Sequence, residues 1–412
     1  MSRTVIVVVD GLGIGAMPDA GELRPGDRAA DTLGHVLDHC RAASYRPLRL
    51  PAFGALGLGL LRPHGDLPGR TALPVAVCRA GLGYPGADTY AGHQTMMGAD
   101  FSTVTVALLA QRLTEVTDAL KRAGHTVELL GGEPLLVVDG HVLVHDNLEA
   151  DPGINWNASG RLEDLPFEQI LAIARTVRTV APVARVIAVG GHSEGPLPAS
   201  VRHGDGGTVG LDTPATGFYR NGGLKVQHLG APLDHTRQLP ELAARAGVTV
   251  TLVGKAADIL ACESALRRPA VRTDEVLDHT LSAVRAAAGG SGGALVVANV
   301  QETDLAGHQQ DALGYGSVLE QVDAGLGALL DELDRPGDRL IVTGDHGNDP
   351  TIGHACHTRE YVPVLIHRPN VGAAGAELLA DADGLADVGA SAARFLGLDP
   401  GGLAGGSPLL SV

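Results

Sequence analysis

Three aliphatic stretches each run directly into an acidic loop, and this pattern restricts the chain to few folds. Val5-Ile6-Val7-Val8-Val9 stops at Asp10 and is followed by Gly11-Leu12-Gly13-Ile14-Gly15. Ala294-Leu295-Val296-Val297-Ala298-Asn299-Val300 leads into Gln301-Glu302-Thr303-Asp304. Arg339-Leu340-Ile341-Val342-Thr343 leads into Gly344-Asp345-His346-Gly347. Short, near-continuous aliphatic runs of this kind are the pattern of strands buried on both faces, as in parallel sheets covered by helices. In an open α/β sheet, ligands gather where the carboxyl ends of strands deliver side chains into loops. The three acids are therefore expected along one edge of one parallel sheet.

Between the last two strands, Tyr315 to Leu333 carries Leu319, Val322, Leu326 and Leu330 at helical spacing, which predicts an amphipathic helix. Val248 to Val253 reads as a further strand leading into Gly254-Lys255. This alternation predicts an α/β fold with a doubly wound core sheet. The middle of the chain differs. Val104 to Ala123 reads as helical, and three closely spaced apolar runs follow at Val127–Leu130, Leu135–Val138 and His141–Val144. Their spacing predicts a small antiparallel sheet, with a Gly-rich segment at His203 to Gly210. The expected organisation is a catalytic core at 1–100 and 226–412, interrupted by an inserted α+β cap at 101–225.

Charge and cysteine content exclude several functions. The net charge is -16, and no Lys/Arg block offers the basic stripe of a nucleic-acid binder. The four cysteines, Cys40, Cys78, Cys262 and Cys356, form no CxxC pair and are too sparse for a disulfide framework. The N-terminal apolar run lacks the features of a signal peptide, and no apolar run reaches the roughly 18 residues of a membrane span. A cytoplasmic protein with reduced thiols and no membrane or nucleic-acid partner is expected.

The chemistry-bearing residues are hard carboxylates and imidazoles, the donor set of metal sites that handle phosphate. Asp10 ends the first strand. Asp304 and His308 lie four apart on one loop or helix start, and Asp345-His346 shares one turn. His357 follows a Gly- and Pro-bearing loop. Between Gly-rich turns lies Asp88-Thr89-Tyr90-Ala91-Gly92-His93. A threonine hydroxyl is a weak nucleophile at neutral pH, and a divalent cation is one of the recognised ways to activate it. On residue chemistry alone, a helix N-cap or turn role is the simpler account of Thr89.

These motifs together resemble the phosphopentomutase family of the alkaline-phosphatase superfamily. The matching residues are Val9-Asp10 with Gly13-Ile14-Gly15, Ala30-Asp31-Thr32-Leu33-Gly34-His35, Asp88-Thr89 with Gly92-His93, Gly254-Lys255 with Asp258-Ile259, Asp345-His346-Gly347, and His357-Thr358-Arg359-Glu360-Tyr361-Val362-Pro363. Asp146 to Asp151, Gln301 to His308 and Gly347 to His354 look closer still to a branch of phosphopentomutase-like mutases. The resemblance implies an alkaline-phosphatase-like core with an inserted cap. It also implies two divalent cations, usually manganese, with zinc or magnesium accepted by the same donors. By motif, Asp304, His308 and His357 would bind one ion, and Asp10, Asp345 and His346 the other. Thr89 would carry the phosphoryl group, Lys255 would face the substrate, and Asp151 would contact the sugar from the cap. His93 and His354 would support the ligands from behind. The implied reaction moves phosphate within a sugar phosphate, of the ribose 1-phosphate/5-phosphate type or on a modified sugar, with a sugar bisphosphate as intermediate or activator. A monomer is implied. Two other readings stay open: a phosphomonoesterase acting on a sugar phosphate or nucleotide, and an inactive metal- or ligand-binding homologue.

The sequence departs from the family in places. Gln94-Thr95 stands where the family has Trp-Glu, and the Asp304-to-His308 step is one residue shorter. Arg185-Val186-Ile187-Ala188 continues with Val189-Gly190, where the family continues with an arginine that grips phosphate. Arg202 and Arg220 are the candidates for a downstream phosphate-binding arginine.

Overall fold

The fold was analysed in a computed structural model that describes residues 2–22, 24–44, 46–101, 104–289, 292–369 and 375–410. The chain divides into two compact units, Met1–Phe101 with Leu233–Val412, and Ser102–Pro232.

The first unit is built on an eight-stranded sheet. Its strand order is Leu266–Arg268, Thr249–Gly254, Ala294–Val300, Arg3–Val9, Arg339–Thr343, Val362–His367, Val75–Ala80 and Ala376–Leu378. Arg3–Val9 pairs in parallel with Ala294–Val300 on one side and Arg339–Thr343 on the other. All seven residues of Arg3–Val9 are buried. Val5, Val7 and Val9 join a core cluster with Leu37 from the helix Thr32–Ser44, Val276 from Thr273–Ala288, and Leu319, Val322 and Leu326 from Ala312–Glu332. Ile6 and Val8 point to the opposite face and are also fully buried. The valine run thus has the two-sided burial its composition predicts.

Register then sets function. Val9 lies opposite Val300, and Val8 opposite Thr343. The loops bearing Asp10, Asp304 and Asp345 therefore leave the sheet side by side. The helix Ala312–Glu332 braces this edge, since the buried Tyr315 hydroxyl donates to the Gly11 carbonyl oxygen at 2.9 Å. At the far end of the first strand, the buried Arg3 guanidinium meets Asp338 through Nε–Oδ1 at 3.0 Å and Nη2–Oδ2 at 2.5 Å. Such two-point pairing fixes orientation as well as charge.

The second unit carries a six-stranded sheet ordered Lys225–Gly230, Arg185–Gly191, Asn155–Arg161, Val142–Asp146, Leu136–Val138 and Val127–Leu129. The three strands expected from the apolar runs are consecutive and antiparallel. Two local readings need correction. The helix expected from Val104 begins only at Leu113, after a short 3-10 turn at Leu109–Gln111. Before it, Thr105 N–H donates to the Pro182 carbonyl and Ala107 N–H to that of Gly153. The Ala107 carbonyl accepts from Trp156 Nε1 at 2.8 Å. Tertiary partners for this backbone outweigh helical propensity there. The unit also extends to Pro232 rather than 225, because Lys225–Gly230 pairs antiparallel with Arg185–Gly191. Among the described residues, no helix is long and apolar enough to cross a membrane.

One close approach in the first unit is testable. A Cβ on Gly389, in the helix Ala386–Phe395, would lie 2.1 Å from the carbonyl oxygen of Met96, at the end of the helix Thr89–Met96. Gly389→Ala should lower stability by about 1–3 kcal/mol, the usual cost of overpacking, despite the better helix propensity of alanine. A urea titration should show a lower midpoint with an unchanged slope. A midpoint equal to or above that of the unsubstituted protein would contradict the close packing of these two helices.

Candidate metal and phosphotransfer site

Asp10, Asp304 and Asp345 reach one buried place from three adjacent strand ends, and all three are almost completely buried. Asp304 and His308 sit in the first and last turns of the short helix Glu302–His308, on one face four residues apart. Ligand atoms of Asp304, His308 and His357 lie within 4.8 Å of one another, and so do those of Asp10, Asp304 and His346. Asp304 thus stands in both groups. Asp345 Oδ2 lies 3.4 Å from His346 Nε2, so it borders the second group. Asp345 also receives Gly11 N–H on Oδ1 at 3.2 Å.

The imidazoles are arranged to present bare nitrogens. His308 Nδ1 lies 2.6 Å from the Ala355 carbonyl oxygen, and His357 Nδ1 lies 3.2 Å from that of Ala87. A carbonyl can only accept, so both Nδ1 atoms carry a proton, and in the neutral ring each Nε2 offers a lone pair. Those two Nε2 atoms lie 3.1 Å apart, with Asp304 oxygens 3.3–3.4 Å away. His346 Nδ1 faces the Gly347 carbonyl oxygen at 3.0 Å, while its Nε2 is buried without a hydrogen-bond partner. That nitrogen lies 3.5 Å from Asp10 Oδ1. Imidazole nitrogens and carboxylate oxygens converging in this way are the donor set of divalent cations.

The local charge balance fits the same conclusion. Three buried carboxylates face one ammonium, that of Lys255, whose Nζ lies 2.5 Å from Asp10 Oδ2 and 3.6 Å from Asp304 Oδ2. Burial and the nearby Asp345 charge push the Asp10 carboxyl up to about 7. Burial would raise Asp345 as well, but His346 and His93 hold it well below the usual carboxylate range. Asp304 is likewise held low against burial by His357 and Lys255. Burial opposes the charge on His308, yet Asp304 pulls its imidazole up to about 9. Burial also disfavours the Lys255 ammonium, but the surrounding aspartates raise its pKa above that of a free lysine.

Thr89 opens the helix Thr89–Met96. The capping role belongs to Asp88, whose Oδ1 accepts from Ala91 N–H at 2.9 Å. The Thr89 hydroxyl is therefore released from capping. It donates to Asp345 Oδ2 at 2.7 Å and lies 3.5 Å from Asp10 Oδ1 and 3.4 Å from Lys255 Nζ. A side chain on Gly92, one turn on, would place its Cβ 2.7 Å from the Asp345 carbonyl oxygen. Glycine there lets the first turn of this helix touch the Asp345 loop. The Gln94-Thr95 departure has a structural counterpart: Gln94 donates to the Ile259 carbonyl at 2.7 Å and accepts from Gln238 at the same distance. Gln94 thereby ties the Thr89 helix to the short helix Lys255–Ile259 that carries the lysine.

The remaining expected residues are placed differently. His93 is buried in the cluster, with Nδ1 2.9 Å from the Thr89 carbonyl oxygen and 3.3 Å from Asp345 Oδ2. His354 instead pairs with Asp27 at 2.8 Å, and no bond joins its ring to a metal-ligand side chain. Asp151 is buried in the second unit, in a turn closed by Ile154 N–H on its own carbonyl. Val189, at the position of the family arginine, packs with Leu197, Leu211 and Phe218. Arg202 is exposed and bonds the carbonyls of Ala199 and Val201; Arg220 is exposed as well. Two residues escaped the sequence reading. Asn299 donates to Asp10 Oδ2 at 3.0 Å, and Asn348 donates to Asp304 Oδ1 at 2.8 Å. An amide inside the apolar run 294–300 was the available signal for Asn299.

Several known proteins are similar to this chain. A family model described as the metalloenzyme superfamily matches residues 243–400. Phosphopentomutase of Methylobacterium nodulans is 31% identical, covering 97% of this chain and 98% of its own length. Phosphopentomutase of Methylobacterium sp. strain 4-46 is 32% identical with the same coverage. Among solved structures, phosphoglycerate mutase of Leishmania mexicana aligns with a TM-score of 0.46 and 16% identity over 96% of this chain and 95% of that one. With relatives at this identity along almost its whole length, the chain belongs to the phosphopentomutase family and is a metal-dependent phosphomutase.

Proposed function

We propose that the chain moves a phosphoryl group between two positions of one sugar phosphate, with Thr89 as the residue that carries it between them. The observation that supports this reading most strongly is the Thr89 hydroxyl at the buried carboxylate–imidazole cluster, 2.7 Å from Asp345. Asp304, His308 and His357 are the donors for one divalent cation, manganese being the family's usual choice. Asp10, Asp345 and His346 are the donors for a second, with Asp304 at the boundary between them. Bound there, the cations would supply Lewis-acid stabilisation to the oxygens around phosphorus.

The residues of the chain have separate tasks in this scheme. Phospho-Thr89 presents its phosphoryl group at the start of the helix Thr89–Met96, where the helix dipole favours anions. A substrate hydroxyl attacks phosphorus in line, the bond to Thr89 Oγ1 breaks, and a bisphosphate forms. After the bisphosphate reorients, Thr89 Oγ1 attacks its other phosphate, which restores phospho-Thr89 and releases the isomerised monophosphate. Asp345 holds the Thr89 hydroxyl in position, and Lys255 offers a positive charge to phosphate oxygens. Asp151, buried in the second unit, is the residue offered for sugar recognition. Because Val189 packs in an apolar cluster, the sugar's distal group is held without an arginine at that position. This favours a substrate whose far end differs from ribose 5-phosphate.

Two measurements test the proposal. Incubation of manganese-loaded protein with a sugar bisphosphate should add one phosphoryl group, detected by intact mass and localised to Thr89. Thr89→Ala should remove both this adduct and phosphotransfer, by at least the 10³-fold expected for loss of a nucleophile. Retention of full turnover in that variant would rule out Thr89 as carrier. Phosphorus NMR on a panel of pentose, deoxypentose and modified-sugar phosphates should show isomerised product. Release of inorganic phosphate alone would instead identify a phosphomonoesterase. His346→Ala should lower bound manganese, read by elemental analysis, from two ions per chain toward one; an unchanged content would remove His346 from the ligand set.

A further inference from the structure

Asn299 occupies the penultimate position of the strand Ala294–Val300 and is completely buried. Its amide nitrogen lies 3.0 Å from Asp10 Oδ2 and 3.0 Å from His93 Nε2. Its amide oxygen is buried with no partner. Asp10 Oδ2 already receives the Lys255 ammonium at 2.5 Å, so it accepts, and the amide face turned toward it must be the donating NH2. One amide hydrogen goes to Asp10 and the second is aimed at His93 Nε2. That imidazole nitrogen must then be bare, which puts the His93 proton on Nδ1. Nδ1 faces the Thr89 carbonyl oxygen at 2.9 Å and Asp345 Oδ2 at 3.3 Å, two acceptors that require a proton between them.

We infer that Asn299 is a positioning residue: through His93 it links Asp10 to Asp345, so that one asparagine orients both carboxylates flanking the Thr89 hydroxyl. An apolar side chain at position 299 would avoid burying an unpartnered oxygen, so the amide is explained by what its nitrogen holds. The same device recurs in the loop that follows the strand Arg339–Thr343. The Asn348 amide nitrogen bonds Asp304 Oδ1 at 2.8 Å and the Asp304 carbonyl at 3.1 Å, and its oxygen is likewise buried without a partner. Outer groups that orient ligands in this way commonly change metal affinity or activity by about 10–100-fold when altered. The Asn299 link rests on the reading of Asp10 and Asp345 as ligands beside a reacting Thr89.

The test uses the full chain loaded with Mg2+ and labelled with 15N in its histidine rings. The unsubstituted protein should show His93 protonated at Nδ1 and bare at Nε2. Asn299→Asp keeps the shape but offers an acceptor, so His93 Nε2 should become protonated. Calorimetric Mn2+ affinity should fall about 10–100-fold, and kcat should fall over a similar range with KM unchanged. An Nε2–H tautomer in the unsubstituted protein would overturn the inference, and this spectrum decides the matter even if the variant fails to fold. Unchanged tautomer and Mn2+ affinity in a folded Asn299→Asp variant would overturn it equally. If the phosphotransfer proposal itself fails, turnover is absent from both proteins, while the tautomer and the Mn2+ titration still report on Asn299.

Discussion

The site is governed by an excess of buried negative charge. Asp10, Asp304 and Asp345 meet at one sheet edge with a single ammonium among them. Ionised carboxylates without water are costly unless paired, and breaking such a set leaves charge uncompensated. The three acids therefore push on one another, which is why Asp10 titrates high while Asp345 is held low by its histidines. Histidines whose outer nitrogens are engaged by carbonyls turn their other nitrogens into the cluster. Only cations complete such a cluster, and everything else at this edge serves to hold it in place.

Holding it falls to ordinary features of the fold. The parallel register of three strands brings the acids together. Asp88 takes over the helix cap and leaves the Thr89 hydroxyl free to face Asp345. Gly92 permits that helix to touch the Asp345 loop. Gln94 links it to the helix of Lys255. Each is a short-range rule of backbone geometry, and together they place a hydroxyl among carboxylates drawn from distant parts of the sequence.

Much of this was legible in the residues themselves. Val5–Val9, the run 294–300 and the run 339–343 announce buried parallel strands, because two-sided burial leaves no polar alternation to confuse the reading. The helix Ala312–Glu332 was legible from its apolar spacing, with ends a few residues from those expected. The clustering of Asp10, Asp304, His308, Asp345, His346 and His357 followed from strand ends plus motif, whereas the sharing of Asp304 between two groups is a matter of distances that no spacing encodes. Val104–Leu108 misled because its backbone partners, Pro182 and Gly153, lie far along the chain. His354 misled for a similar reason: its partner Asp27 sits in a loop with no motif. Asn299 was overlooked because one amide in an apolar strand has no meaning until its neighbours across the sheet are known.

The central strand also carries a kinetic consequence. Arg3–Val9 is synthesised well before the strands on either side of it, which begin at Ala294 and Arg339. At typical synthesis rates of about 5–20 residues per second, those partners emerge on the order of tens of seconds later. During that interval a largely apolar ribbon has no native neighbour and is open to pairing with other nascent chains. The strand that later delivers Asp10 to the carboxylate cluster is thus one that needs shielding, by a chaperone or by transient local structure, while the protein is being made.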